Sequence, residues 1–332
     1  MSSLSYDLSG LQASSPAGGV MLGGSPAMQE VFRLIERIGP TEASVLLTGE
    51  SGSGKELAAR AIHECGPRSS GPFVAINCGA IPPALVEAEL FGYDKGAGAA
   101  HAQPGAFERA RGGTLLLDEV TELPSDMQTR LLRVLETRKF YGAGATAEFD
   151  CDVRVIAATN RCPLQAVQSG QFREDLLYRL AVFPVDMPPL RSRGSDVELL
   201  AEHFLAELNE QALTQKRLSA LARMTLKQHS WPGNVRELKN CIERAFILCD
   251  GVLELTPLLP GAARDANAVC DAERLSIRVG SRIHDMERSL IEATLDYFKG
   301  NKRRAADALG CSLKTLYNKL NGYSQNQECA QP

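Results

Sequence analysis

At 332 residues the chain is about two domains long, and its 44% hydrophobic and 23% charged residues exclude global disorder. Its formal charge of −4, from 36 basic and 40 acidic residues, argues against a general affinity for nucleic acid. No apolar run approaches the ~18 residues of a membrane span. The opening MSSLSYDLSG has neither the basic start nor the apolar stretch of a signal peptide, and the nine cysteines form no C-x-x-C pair. The expected compartment is therefore reducing cytoplasm, with no membrane partner.

Residues 1–20, rich in Ser, Gly and Ala without periodicity, are expected to form a flexible leader. They are too few for a sensing domain, so control is expected through expression level or a protein acting in trans. From 21 to 190, a helical run at Met28–Ile35 precedes short apolar runs at Ser44–Thr48, Phe73–Ile76, Thr114–Leu117 and Val153–Ala157. Continuous apolar strands alternating with helices predict an α/β fold whose parallel sheet is covered on both faces. Residues 191–255 read as helical, broken at Trp231-Pro232-Gly233. Residues 256–282 lose periodicity, as a linker does. Residues 283–323 read as three short helices, and 324–332 as a tail.

The strand ending at Thr48 runs into Gly49, Glu50, Ser51, Gly52, Ser53, Gly54, Lys55 and Glu56, then into a helical run. Strand, glycine-rich loop and helix is the context of a nucleotide phosphate loop. Glycines let successive N–H groups turn toward phosphate at a helix N-terminus, while Lys55 supplies a point charge. Glu56 stands where a Ser or Thr magnesium ligand is usual. A second apolar strand, Thr114–Leu117, ends in Asp118-Glu119. At a strand's carboxyl edge Asp118 can hold Mg²⁺ through water, and Glu119 can polarise an attacking water. These residues predict an ATPase with ATP and Mg²⁺ as cofactors.

The ordered motifs Gly49–Glu56, Phe73–Cys78, Glu89–Ala97, Gly112–Glu119, Arg154–Asn160, Phe172–Leu180 and Trp231–Leu238 together resemble the bacterial enhancer-binding proteins. These are AAA+ activators of sigma-54 RNA polymerase. The resemblance implies an AAA+ P-loop core over 21–190, a helical lid over 191–255 and a C-terminal helix-turn-helix. It implies that Asn77 is the switch residue holding Glu119, and that Thr159-Asn160 form the first sensor. Arg236 would be the second sensor. Arg173 and Arg179 would be fingers reaching a neighbour's γ-phosphate in a homo-oligomer, by resemblance a hexameric ring.

The family's loop reads Gly-Ala-Phe-Thr-Gly-Ala, and its Phe and Thr contact sigma-54. Here Gly96-Ala97 joins Gly98-Ala99 directly, as though Phe-Thr had been excised. Losing two residues retracts a two-armed tip by about one residue step, ~3.5 Å. It also removes an aromatic anchor of the kind that dominates interfaces.

Between Lys299 and Lys319 six basic residues face one acid, a local charge of +5 on a body of −9. The segment resembles a Fis-type helix-turn-helix. Asn301 caps one predicted helix, Gly310 stops it, and Ser312 caps the next. Lys302, Arg303 and Arg304 are expected to meet phosphate. Ser312, Lys314, Thr315 and Asn318 are candidates for base edges, with Lys319 also on the DNA side and Leu313 and Leu316 in the core. Two functions follow from these readings. One is a regulator that binds upstream promoter DNA and uses ATP to act on sigma-54 polymerase. The other is a DNA-binding AAA+ regulator that does not itself remodel sigma-54, and instead modulates a companion activator, represses, or acts independently of sigma-54. An AAA+ chaperone or helicase loader fits the motor but not the C-terminal helices.

Overall fold

The computed structural model describes residues 12–15, 19–93, 104–142, 148–255, 287, 290–291, 294–295, 298, 301–311, 313–316 and 319. Its first unit, Met1–Ala262, contains nearly all of the described secondary structure. In chain order the elements are β1 Gln12–Ser15, β2 Gly19–Leu22, α1 Pro26–Ile38, β3 Val45–Thr48, α2 Lys55–Glu64, β4 Phe73–Asn77, α3 Pro83–Phe91 and α4 Ala106–Arg109. Next come β5 Thr114–Asp118, a 3-10 turn Val120–Glu122, α5 Ser125–Thr137, β6 Lys139–Tyr141, β7 Glu148–Asp150, β8 Arg154–Thr159, α6 Pro163–Gln168, α7 Glu174–Leu180 and β9 Phe183–Asp186. The lid comprises α8 Asp196–Ala212, β10 Arg217–Leu218, α9 Ala220–Gln228, α10 Asn234–Leu248 and β11 Val252–Leu253. Among the described residues, no helix is long and apolar enough to cross a membrane.

Five strands form one parallel sheet in the order β4-β5-β8-β3-β9. Side chains alternate across a strand, and here both faces are covered. Leu115, Leu117, Val155, Ala157 and Leu46 pack on one side with α3, α5 and α7. Leu116, Ile156, Ala158, Val45 and Leu47 pack on the other with α1 and α2. The lid has its own core, in which Trp231 is 1% exposed among Leu200, Leu205, Leu226 and Leu238. Its indole N–H donates to the Leu226 carbonyl at 2.9 Å. Asp196, buried at the start of α8, accepts from the Gly24 and Ser25 amides and the Ser25 hydroxyl, tying the lid to the start of α1.

Some details depart from the sequence reading. Part of the expected flexible leader pairs: β1 and β2 are antiparallel, Gln12 opposite Leu22. Backbone pairing needs no side-chain periodicity, so composition could not show it. β9 is an additional edge strand containing Pro184, allowed at an edge because no further strand needs its N–H. The lid also holds the short parallel pair β10–β11.

The second unit spans Ala263–Pro332. In it α11, Lys302–Ala308, packs Ala305 and Ala306 with Ile291 and Leu316. Asn301 accepts from the Arg304 amide at 3.3 Å and Gly310 has φ +66°, as a cap and a stop require. Leu313, expected in the core, is 42% exposed, because Leu316 and Ile291 already fill the small interior.

Candidate nucleotide site

The parallel register brings chemistry to one edge of the sheet. Thr48 lies beside Thr159 and Asn77 beside Asp118, all at the carboxyl ends of their strands. That edge is where open α/β sheets bind ligands.

The phosphate loop Gly49–Gly54 leaves β3 and enters α2 at Lys55. Gly49, Gly52 and Gly54 have φ of +142°, +74° and +104°, conformations L side chains rarely adopt. A Cβ at Gly52 would sit 2.4 Å from the Gly233 carbonyl oxygen. The loop carbonyls are all engaged in hydrogen bonds. Lys55 Nζ takes Gly49 and Glu50 at 2.8 and 3.1 Å. The lid takes the next three, with Asn234 on Ser51, the Val235 amide on Gly52 and Arg193 on Ser53, and the Gly54 carbonyl accepts the Ala58 amide of α2. Among the described residues Ser53 Oγ is buried without a hydrogen-bond partner, an orphan of the kind that a bound group satisfies. Glycine cradle, orphan hydroxyl, Lys55 and a helix N-terminus together fit a nucleotide phosphate chain.

Lys55 is buried, and desolvation lowers its pKa against the opposing pull of Asp118 and Glu119. Asp118 Oδ1 accepts the Glu119 amide at 3.0 Å. Glu119 has φ +54° and ψ 43°, a left-handed conformation for a non-glycine residue at the start of the 3-10 turn. A Cβ at Gly79 would collide with Glu119 Oε2 at 2.4 Å, so this glycine makes room for the carboxylate. Two hard carboxylates near the phosphate loop fit a magnesium ion. Glu56 turns away, exposed, and pairs with Arg60 at 3.7 Å.

Asn77 Oδ1 accepts from the Gly79 and Ala80 amides at 2.9 and 3.0 Å, closing its own turn close to Glu119. Thr159 is fully buried, with its hydroxyl 2.9 Å from that of Thr121 in the turn after Glu119. Asn160 is exposed beyond the strand end. Arg236 reaches Ser51 Oγ at 3.2 Å. Arg173 and Arg179 are exposed at the two ends of α7. Among the described residues their side chains bond Asp175 and Thr129, and the Leu135 carbonyl, respectively. None of those bonds goes to the phosphate loop.

Sequence reasoning missed the clasp between loop and lid. Glu50 takes a two-pronged bond from Arg191 at 2.6 and 2.8 Å and a third from Asn234. The Arg191 and Asn234 bonds lower the Glu50 carboxyl from 4.5 to about 2. Asn234, buried with φ +52°, also accepts the Leu190 amide at 2.8 Å. It sits in the Trp-Pro-Gly-Asn run, but sequence alone offered no partner for it. Asn234→Ala is expected to lower unfolding free energy by about 1–3 kcal/mol, since Leu190 N–H and Ser51 carbonyl lose their partner. Denaturant melts of the full chain measure it; an unchanged midpoint contradicts the clasp.

In the second unit Lys302, Arg303, Arg304, Lys314 and Thr315 are exposed. Lys319 pairs with Glu287 instead of standing open. Ser312, Asn318 and the loop Gly96, Ala97, Gly98 and Ala99 lie outside the described residues.

Residues 21–186 match the family described as Sigma-54 interaction domain, 191–274 an AAA+ ATPase lid domain, and 282–323 Bacterial regulatory protein, Fis family. The chain is 44% identical over 315 residues to transcriptional regulatory protein FlbD of Caulobacter vibrioides, covering 90% of this chain and 69% of that one. It is 42% identical to the DNA-binding transcriptional regulator NtrC of Azospirillum brasilense, covering 90% and 68%. Crystal structures of NtrX from Brucella abortus with ATP and with ADP superpose at TM-scores of 0.69 and 0.70, each at 36% identity. The ATP complex covers 92% of this chain and 69% of NtrX; the ADP complex covers 91% and 69%.

Proposed function

The chain belongs to the sigma-54 interaction family of AAA+ ATPases with a Fis-type DNA-binding domain, and from that premise we propose that its ATP site is completed by a second copy. It is an ATP-dependent DNA-binding transcription regulator acting on sigma-54 RNA polymerase. The observation carrying the shared site is the separation of charges. The phosphate loop, Asp118 and Glu119 lie together, while the exposed guanidiniums of Arg173 and Arg179 bond away from them.

In this reading the loop amides and Lys55 bind the phosphates of ATP, and Asp118 would hold Mg²⁺. The metal supplies charge neutralisation for the phosphates. Glu119 orients and polarises the water, with Asn77 controlling its approach. Thr159-Asn160 and Arg236 read the phosphate state from sheet and lid. Arg173 and Arg179 supply charge to a neighbour's site, so hydrolysis depends on assembly, by family resemblance a hexameric ring in the cytoplasm.

DNA contact is assigned to 283–323, with Lys302, Arg303 and Arg304 on phosphate. Replacing Arg303 or Arg304 with Ala should weaken binding about equally on all sequences. It should also shallow the salt dependence by ~0.9 for each phosphate no longer neutralised. Titrations at several salt concentrations measure this; an unchanged slope places those arginines off the DNA.

The absent Phe-Thr pair favours a second reading of the final contact, in which this chain acts with a companion activator in mixed assemblies. The segment 96–105 offers no large apolar side chain to bury against a partner. The unmodified chain should therefore form little stable complex with sigma-54 in a transition-state nucleotide mimic. Inserting Phe-Thr between Ala97 and Gly98 should recover binding. Tight trapping of sigma-54 by the unmodified chain alone contradicts this reading.

A further inference from the structure

Gln128, on the first turn of α5, is a polar side chain only 1% exposed, and both the nitrogen and the oxygen of its carboxamide are engaged. Its Nε2 donates to the Leu123 carbonyl at 2.9 Å and to the Gln171 carbonyl at 2.8 Å. Its Oε1 accepts the backbone amide of Arg173 at 2.9 Å. Leu123 closes the 3-10 turn that begins at Glu119, and Arg173 is the residue from which α7 starts. One buried group thus ties the segment carrying the catalytic carboxylate to the base of the arginine. Among the described residues the exposed Arg173 side chain bonds Asp175 and Thr129, so its height above the surface is set through its backbone, where the Gln128 bond joins the first helix bond from Leu177 and the buried Phe172.

We propose that Gln128 is the positioning residue for Arg173, setting the guanidinium that one copy presents to its neighbour's nucleotide and referencing it to the turn after its own Glu119. The proposal rests on the reading of Arg173 as acting in trans. A buried three-way amide bridge is rigid, and displacement of a charge by about 1 Å at a reacting phosphate costs on the order of 10²-fold in rate. Two backbone carbonyls and one N–H need a side chain with two donors and an acceptor in one plane, which only Asn and Gln supply. From α5 the longer reach of Gln is what spans them.

The test uses full-length chains mixed in pairs. Gln128→Met removes the bridge while keeping volume. Gln128→Ser is the second variant, because water entering the vacated polar space can satisfy the three backbone groups and preserve folding. Each is expected to bind a fluorescent ATP analogue within about twofold of the unaltered chain, with kcat lowered roughly 10- to 100-fold. Mixed with Glu119→Gln, whose own site is dead but whose Arg173 is intact, either variant should regain turnover well above the sum of the separate chains. Mixed with Arg173→Ala it should not, because neither chain then offers a well-placed finger. A general defect in the variant's own site would not be rescued by a neighbour. If Arg173→Ala with Glu119→Gln regains turnover and the Gln128 variants with Glu119→Gln do not, the positioning role is overturned. If Arg173→Ala with Glu119→Gln also fails, the trans reading itself is wrong and the proposal falls with it.

Discussion

Glu119→Gln is expected to bind ATP as the unaltered chain does and to hydrolyse it at least ~10²-fold more slowly. The substitution is isosteric, so the left-handed backbone at this position and the space beside Gly79 are undisturbed. What changes is basicity: an amide oxygen cannot draw a proton from water as a carboxylate does. Lys55, whose charge is supported by both Asp118 and Glu119, keeps Asp118 and its carbonyl contacts, so phosphate binding survives. Single-turnover hydrolysis alongside equilibrium nucleotide binding separates the two effects. Turnover equal to the unaltered chain removes Glu119 from the chemistry.

Arg173→Ala and Arg179→Ala should each bind nucleotide and lose roughly 10³-fold or more of turnover, the range for a guanidinium supplied to a phosphoryl transition state. Both side chains are exposed, and the bonds they give up are surface contacts to Asp175, Thr129 and the Leu135 carbonyl, so folding should be little affected. In the unaltered chain, turnover per subunit should rise with protein concentration across the dissociation range of the oligomer. A flat specific activity across that range means the arginines act within one chain.

The parts of this molecule legible in its sequence are those whose physics is local. An apolar run followed by glycines and a lysine can be read as a strand entering a phosphate loop, because the positive-φ requirement and the helix N-terminus are written in consecutive residues. Asp118 and Glu119 are legible for the same reason, standing at the end of one strand. Long-range bonds were not. Gln128 looks like one more polar residue at a helix start until Arg173, 45 residues later, is seen to donate to it. Asn234 meets Glu50 across 184 residues of chain. Leu313 misled by type alone: Ile291, Ala305, Ala306 and Leu316 fill the small second core, leaving it at the surface.

The shared site is tested most directly by mixing two inactive chains. Glu119→Gln keeps its arginines and loses its water-activating carboxylate; Arg173→Ala keeps the carboxylate and loses a finger. If the site lies between copies, equal amounts of the two should hydrolyse ATP well above the sum of their separate rates, because some interfaces join an intact Glu119 to an intact Arg173. A rate that stays at that sum, with mixed oligomers shown to form, contradicts the account.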